Sequence, residues 1–134
     1  MAEFVRGINE VIRRARRLQR NASQLEKPVQ KGGDVMLKSI RTNFAVGGRP
    51  AWKPLAASTL KRKRTNRILI EKGELLDSHE LTVSGNKAEA GTNLDRAKYP
   101  YFGTRKMPRR NAILFQPEDI TSIGSHFRRH VTSR

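Results

Sequence analysis

The first 25 residues carry the pattern that constrains this chain most. Apolar side chains stand at Phe4, Val5, Ile8, Val11, Ile12, Ala15, Leu18, Ala22 and Leu25. Steps of three and four predict one long helix over residues 3–25. Arg6, Arg13, Arg14, Arg16, Arg17 and Arg20 fill the positions between. One stripe of such a helix packs, and the rest is a row of guanidinium groups. That row is either a solvated face or a surface that meets phosphate or carboxylate.

A second helix is expected over residues 28–45, with Pro28 at its first position and Val29, Met36, Leu37, Ile40 and Phe44 as its stripe. Gly32 and Gly33 weaken it and mark a place for a break or late start. Gly47-Gly48 ends it, and Pro50 prevents its return. Residues 46–72 read as a long connection, extended around Pro50, Trp52 and Pro54, with a short helix starting at Ser58 to Leu60. Gly73 opens an amphipathic piece that turns Leu75 and Leu76 inward. Residues 79–84 and 87–92 alternate around Gly85-Asn86, which predicts a hairpin. Residues 95–103 read as a turn of helix and an aromatic loop. Ala112 to Phe115 is expected as a short buried strand. Pro117, Glu118 and Asp119 start a last helix whose stripe is Ile120, Ile123, Phe127 and Val131. The fold class is therefore α+β: a helical N-terminal half, a small antiparallel sheet and a C-terminal helix, all in one domain of 134 residues.

Charge limits the partners. The chain has 28 Lys and Arg against 12 Asp and Glu, a net charge of +16. Such a chain meets a polyanion or an acidic protein surface. Only residues 68–98 run the other way, with six acids and four bases. Copies of the chain can therefore pair, this segment against a basic neighbour. No stretch approaches the roughly 20 apolar residues of a membrane helix. The opening MAEFVRGINE lacks the apolar core of a secretory signal. There are no cysteines, so disulfides, Cys-ligated metals and Cys nucleophiles are excluded.

The inventory for catalysis is poor. His126 and His130 stand at i and i+4, but no HExxH surrounds them, and they read as polar residues on an exposed helix end. Glu71, Glu74, Asp77 and Glu80 step by three and would share one face if helical. They read as an acidic contact face rather than a Mg²⁺ or acid–base site. No phosphate-binding glycine loop is present. No cofactor, metal or small-molecule substrate is expected. Two basic clusters remain: Lys61, Arg62, Lys63, Arg64 and Arg67, and then Arg105, Lys106, Arg109 and Arg110 beside Tyr99, Tyr101 and Phe102. Bases beside aromatics suit single strands, yet no nucleic-acid-binding fold is readable. A small basic protein that binds nucleic acid without sequence preference is the alternative reading.

One long stretch resembles a known family. RPAWKPLAASTLKRKR, then ILIEKGELLDSHEL, a small hairpin, and AKYPYFGTRKMPRRNAILFQPEDITSI are similar to the Mu-like phage virion morphogenesis (tail completion) proteins. Trp52, Pro54, Leu55, Ser58, Thr59 and Leu60 carry the first part. Ile68, Leu69, Gly73, Leu75 and Ser78 carry the second, with Gly91 and Thr92 after the hairpin. Tyr99, Phe102, Gly103, Met107, Pro108 and Arg109 carry the third, and Phe115, Glu118 and Asp119 the end. YPYFG is shorter than the family's loop, and Asn111-Ala112 replaces its usual proline. The resemblance spans about residues 45–124. It implies a non-enzymatic virion protein of the neck or tail top. Copies would form a ring, six being the expected number, that completes the tail and allows head–tail joining. Other neck and tail proteins are the implied partners, with non-specific contact to packaged DNA as a further one. The expected interface residues are Trp52, Pro54, Leu55, Gly73, Leu75, Tyr99, Tyr101, Phe102, Gly103, Pro108 and Arg109, with Trp52, Tyr101 and Phe102 as aromatic anchors. A core tryptophan is the other reading of Trp52.

Overall fold

A computed structural model describes residues 2–63, 65–70 and 73–133, with side chains from Gly7 onward. Its elements are α1 (Ala2–Ser23), α2 (Glu26–Val46), α3 (Ala57–Arg62), α4 (Glu74–Asp77), β1 (His79–Ser84), β2 (Lys87–Thr92), a 3₁₀ turn (Asp95–Ala97), α5 (Lys98–Phe102) and α6 (Pro117–Thr132). Order and type follow the sequence pattern closely. The hairpin is antiparallel, with His79 opposite Thr92 and Ser84 opposite Lys87. Leu81, Val83, Ala88 and Ala90 are half-buried on its inner side. Of the two turn residues only Gly85 takes a positive φ, +56°.

Helix α2 is the centre of the fold, with α6 on one side and the hairpin on the other. The glycine pair that weakens it on paper is what allows both contacts. A Cβ on Gly32 would stand 3.3 Å from Ile123, and one on Gly33 would stand 2.6 Å from the end of Leu81. The helix runs through both glycines without a break, and Pro28 occupies its third position rather than its first. Burial of the flanking layers outweighs the propensity cost of about 1 kcal/mol per glycine.

The core gathers at the C-terminal half of α2. Ile40, Phe44, Trp52, Ile70, Ala97, Tyr101 and Ala112 are buried together. The Phe44 and Trp52 rings meet edge to face at 5.9 Å. Truncation of Phe44 to Ala would cost about 3–5 kcal/mol. The connection over 46–72 is thus tied to the core at Trp52 and Ile70, while α3 between them has no buried residue.

Two expectations are corrected. Residues 112–115 form no strand. The side-chain amide of Asn43, itself buried, donates to the carbonyls of Ala112 (2.7 Å) and Leu114 (3.2 Å), which replaces a ladder partner. Ile120 is 65% exposed and lies off the packed stripe of α6.

A buried polar network, with no local sequence signal, joins these pieces. Arg49 Nε donates to Asn43 Oδ1 (2.7 Å), and its Nη2 donates to the Ser39 hydroxyl (2.6 Å) and carbonyl (3.0 Å). Ser39 donates to Asp119 Oδ2 at 2.5 Å. The same carboxylate oxygen caps α6 by accepting from the Gln116 backbone N–H at 2.8 Å. Gln116 Nε2 returns to the Arg49 carbonyl (2.6 Å). Every member has a partner, which fits a structural clamp between α2, the turn after it and α6.

Candidate assembly interface

Where α3, Leu69, residues 73–75 and the start of α5 converge, they leave a groove of about 670 Å³. Leu69, Leu75, Tyr99, Pro100 and Met107 give it an apolar floor; Arg62, Lys63, Glu74 and Arg96 stand at its rim. Local conformation builds it. Leu69 takes a left-handed φ of +63°, and Gly73, just before α4, one of +81°. Strain of this kind costs on the order of 1 kcal/mol at a non-glycine residue.

The electrostatics are mixed. Glu74 pairs with Arg96 across the rim. Lys63 Nζ donates to the Arg67 carbonyl at 2.7 Å. Lys98 Nζ lies 5.3 Å from the centre of the Tyr99 ring, a cation–π contact. Phe102, outside the groove, is 76% exposed, and Tyr99 and Met107 within it are also exposed. Gly103, at φ +77°, begins a tight turn in which Thr104 and Met107 pair through their backbones.

The structure brings Gly73, Leu75 and Tyr99 into one groove with Arg62, Lys63 and Glu74, although the sequence spreads them over 38 positions. Phe102, Gly103, Pro108 and Arg109 lie in the adjoining segment, and Arg109 Nε donates to the Tyr101 carbonyl at 3.2 Å. Pro54 is exposed and Leu55 half-buried in the connection before α3. Lys61, Arg67, Arg105 and Lys106 are exposed. Arg64 and Glu71 lie outside the described residues.

Several expected contact residues serve the chain's own interior instead. Trp52 and Tyr101 are 9% and 5% exposed, so their rings are core and cannot anchor a partner. Tyr101 Oη lies 2.6 Å from His79 Nε2. His79 Nδ1 lies 3.4 Å from the Leu76 carbonyl. The Nδ1–H tautomer satisfies both contacts: the ring donates to Leu76 and accepts from Tyr101. Burial pulls the His79 pKa below its ordinary value, against the smaller opposing pull of the Leu76 and Leu75 carbonyls. Burial also pushes the Tyr101 phenol upward, so it stays protonated. Arg110 is buried as well. It donates to the carbonyls of Lys53 (2.9 Å) and Pro54 (3.1 Å), holding the connection rather than an external anion. Of the expected acidic face, Glu74 and Asp77 stand on α4 and Glu80 on β1, so these three do not share a helical face.

Among the described residues no three His, Asp or Glu side chains converge as a metal site. His79 is enclosed by Phe44 and Tyr101. His130 Nε2 lies 3.0 Å from the Asn21 carbonyl and ties α6 to α1. Among the described residues no helix is long and apolar enough to cross a membrane.

The phage virion morphogenesis family matches residues 7–132. The Mu-like prophage FluMu G protein 2 of Haemophilus influenzae is 30% identical over 95 residues, 66% of this chain and 64% of the relative. The chain therefore spans somewhat less than two thirds of that relative's length. No solved structure matches.

Proposed function

The chain belongs to the phage virion morphogenesis family, and from that premise we propose that it is a non-enzymatic component of the neck or tail top, built as a ring of copies. The family is one of structural phage proteins, which makes the chain a virion-associated protein. The ring and its place at the tail top are the finer reading. One observation carries it: the groove under α3 and α5 joins residues from three separate matched segments, with an apolar floor, a charged rim and Phe102 exposed beside it. Apolar floors with polar rims are the anatomy of protein interfaces. Six copies closing by a head-to-tail contact would complete the tail and offer a platform to head-side proteins. Neighbouring neck and tail proteins are the partners this reading supplies, and exposed Lys61, Arg67, Arg105 and Lys106 are open to packaged DNA.

The reading is tested on purified particles. Negative-stain images and native mass spectrometry should find the protein as a ring at the tail top. Particles that join heads to tails without it would overturn the reading.

A further inference from the structure

Among the described side chains, the apolar stripe of the N-terminal part of α1 is left open to solvent, while Glu10, Arg13 and Arg14 on its other side line a cavity with Thr132 of α6. The helix meets α6 near its C-terminal end, where Asn21 Nδ2 donates to the carbonyls of Val131 (3.0 Å) and Ser133 (2.9 Å). Every residue from Gly7 to Arg16 is exposed. These include Ile8, Val11 and Ile12, at 43%, 68% and 41%. At 3.6 residues per turn they share one face with Ala15, bordered by Arg14 and Arg16. An exposed helical arm of this length is marginal in water, and β-branched Ile and Val weaken it further. An arm of this kind calls for a surface that takes its stripe and answers its charge.

The chain itself carries such a surface. A groove of about 720 Å³ runs along the β2 edge of the hairpin, with Met36, Ala90, Leu94 and Phe115 as apolar lining and Glu80 and Glu89 among its walls. Glu80 has no ion pair among the described residues, Glu89 has only an exposed one with Lys87 at 2.8 Å, and their segment, residues 68–98, is net acidic. Dimensions agree too: residues 2–16 of α1 span about 22 Å, and six-residue strands about 20 Å.

We infer that α1 of one copy docks into the hairpin groove of a second copy, its Ile8–Val11–Ile12–Ala15 stripe on the apolar lining and Arg14 and Arg16 toward Glu80 and Glu89. Pairing of two α1 helices is disfavoured, because six arginines against two glutamates would bring +4 to +4. The contact joins two different surfaces, so it propagates head to tail. It rests on the ring reading only for closure; the docking itself is a property of the chain in solution.

The absence of cysteine makes the test direct. Two differently tagged single variants, Val11→Cys and Ala90→Cys, are mixed and oxidised. The expected product is the mixed disulfide dimer. A second experiment reverses charge: Arg14→Glu with Arg16→Glu in one chain, Glu80→Arg with Glu89→Arg in the other. Each variant alone should lose association by light scattering while keeping its circular dichroism, and mixing should restore it. Three results overturn the inference: Val11→Cys homodimers as the main product, a chain monomeric to its solubility limit with no cross-link, or α1-dependent binding to phosphatidylglycerol vesicles without paired copies. Presence in particles is read separately. Particles that contain the protein but give no Val11–Ala90 cross-link end the docking while the virion role stands.

Discussion

Around its apolar core, this fold is tied together by polar partners found far along the chain. Tyr101 and His79 show what one buried hydrogen bond does. Tyr101→Phe leaves His79 Nε2 buried without its donor, so urea unfolding should show a loss of about 1–3 kcal/mol. The same pair sets a pH dependence. The folded-state pKa of His79 lies below its ordinary value of 6.5, so between the two the unfolded chain binds more protons. The stability held by the neutral ring is present above pH 6.5 and is lost as pH falls through the folded pKa. Unfolding free energies measured at pH 7.5 and down to 5 should therefore fall with pH, and the fall should shrink in His79→Phe. At Gly48 the constraint is steric. Its φ is +97°, and a Cβ would lie 2.6 Å from the Trp52 indole. Gly48→Ala should lower stability by about 1–3 kcal/mol and disturb tryptophan fluorescence.

At the scale of elements, the proposed docking of α1 on a second copy would separate folding from association. The described side chains of α1 from Gly7 to Arg16 are all exposed. Removal of residues 1–12 should move the unfolding free energy by no more than about 0.5 kcal/mol, yet abolish association of copies by light scattering. A large loss of stability would mean that α1 belongs to the core. Elements were also the level at which the sequence was most legible. The hairpin could be read because alternation and a Gly-Asn turn are local signals, and α1, α2 and α6 because their stripes repeat within one turn. The AILF run at 112–115 misled because four apolar residues look alike in a buried strand and in an extended segment. What decides is the amide of Asn43, 69 residues away. Trp52 and Arg110 illustrate the same limit at the candidate interface. An aromatic between prolines and an arginine in a basic run carry the same local pattern whether they face a partner or the interior. Gly73, Leu75 and Tyr99 were legible as a set through family resemblance, but their convergence on one groove was not.

Across the whole molecule, charge and shape point to copies meeting unlike faces. The proposed contact between copies would use the contrast between a net charge of +16 and the net-acidic segment 68–98. Binding to duplex DNA through Z bases would weaken with a slope of about −0.9Z in log affinity against log salt, whatever the sequence. Reversing Glu74, Asp77 and Glu80 to Lys should leave that binding equal or stronger while blocking association of copies. Equal loss of both would contradict two separate surfaces. The central claim, a structural virion protein working as joined copies, meets its most direct test in the particle itself. Quantitative mass spectrometry of purified virions, with averaged images of the tail top, should give a fixed copy number consistent with a single ring and density that admits one chain per repeat. Intact, head-joined particles in which the protein is absent, or present only in trace and variable amount, would contradict it.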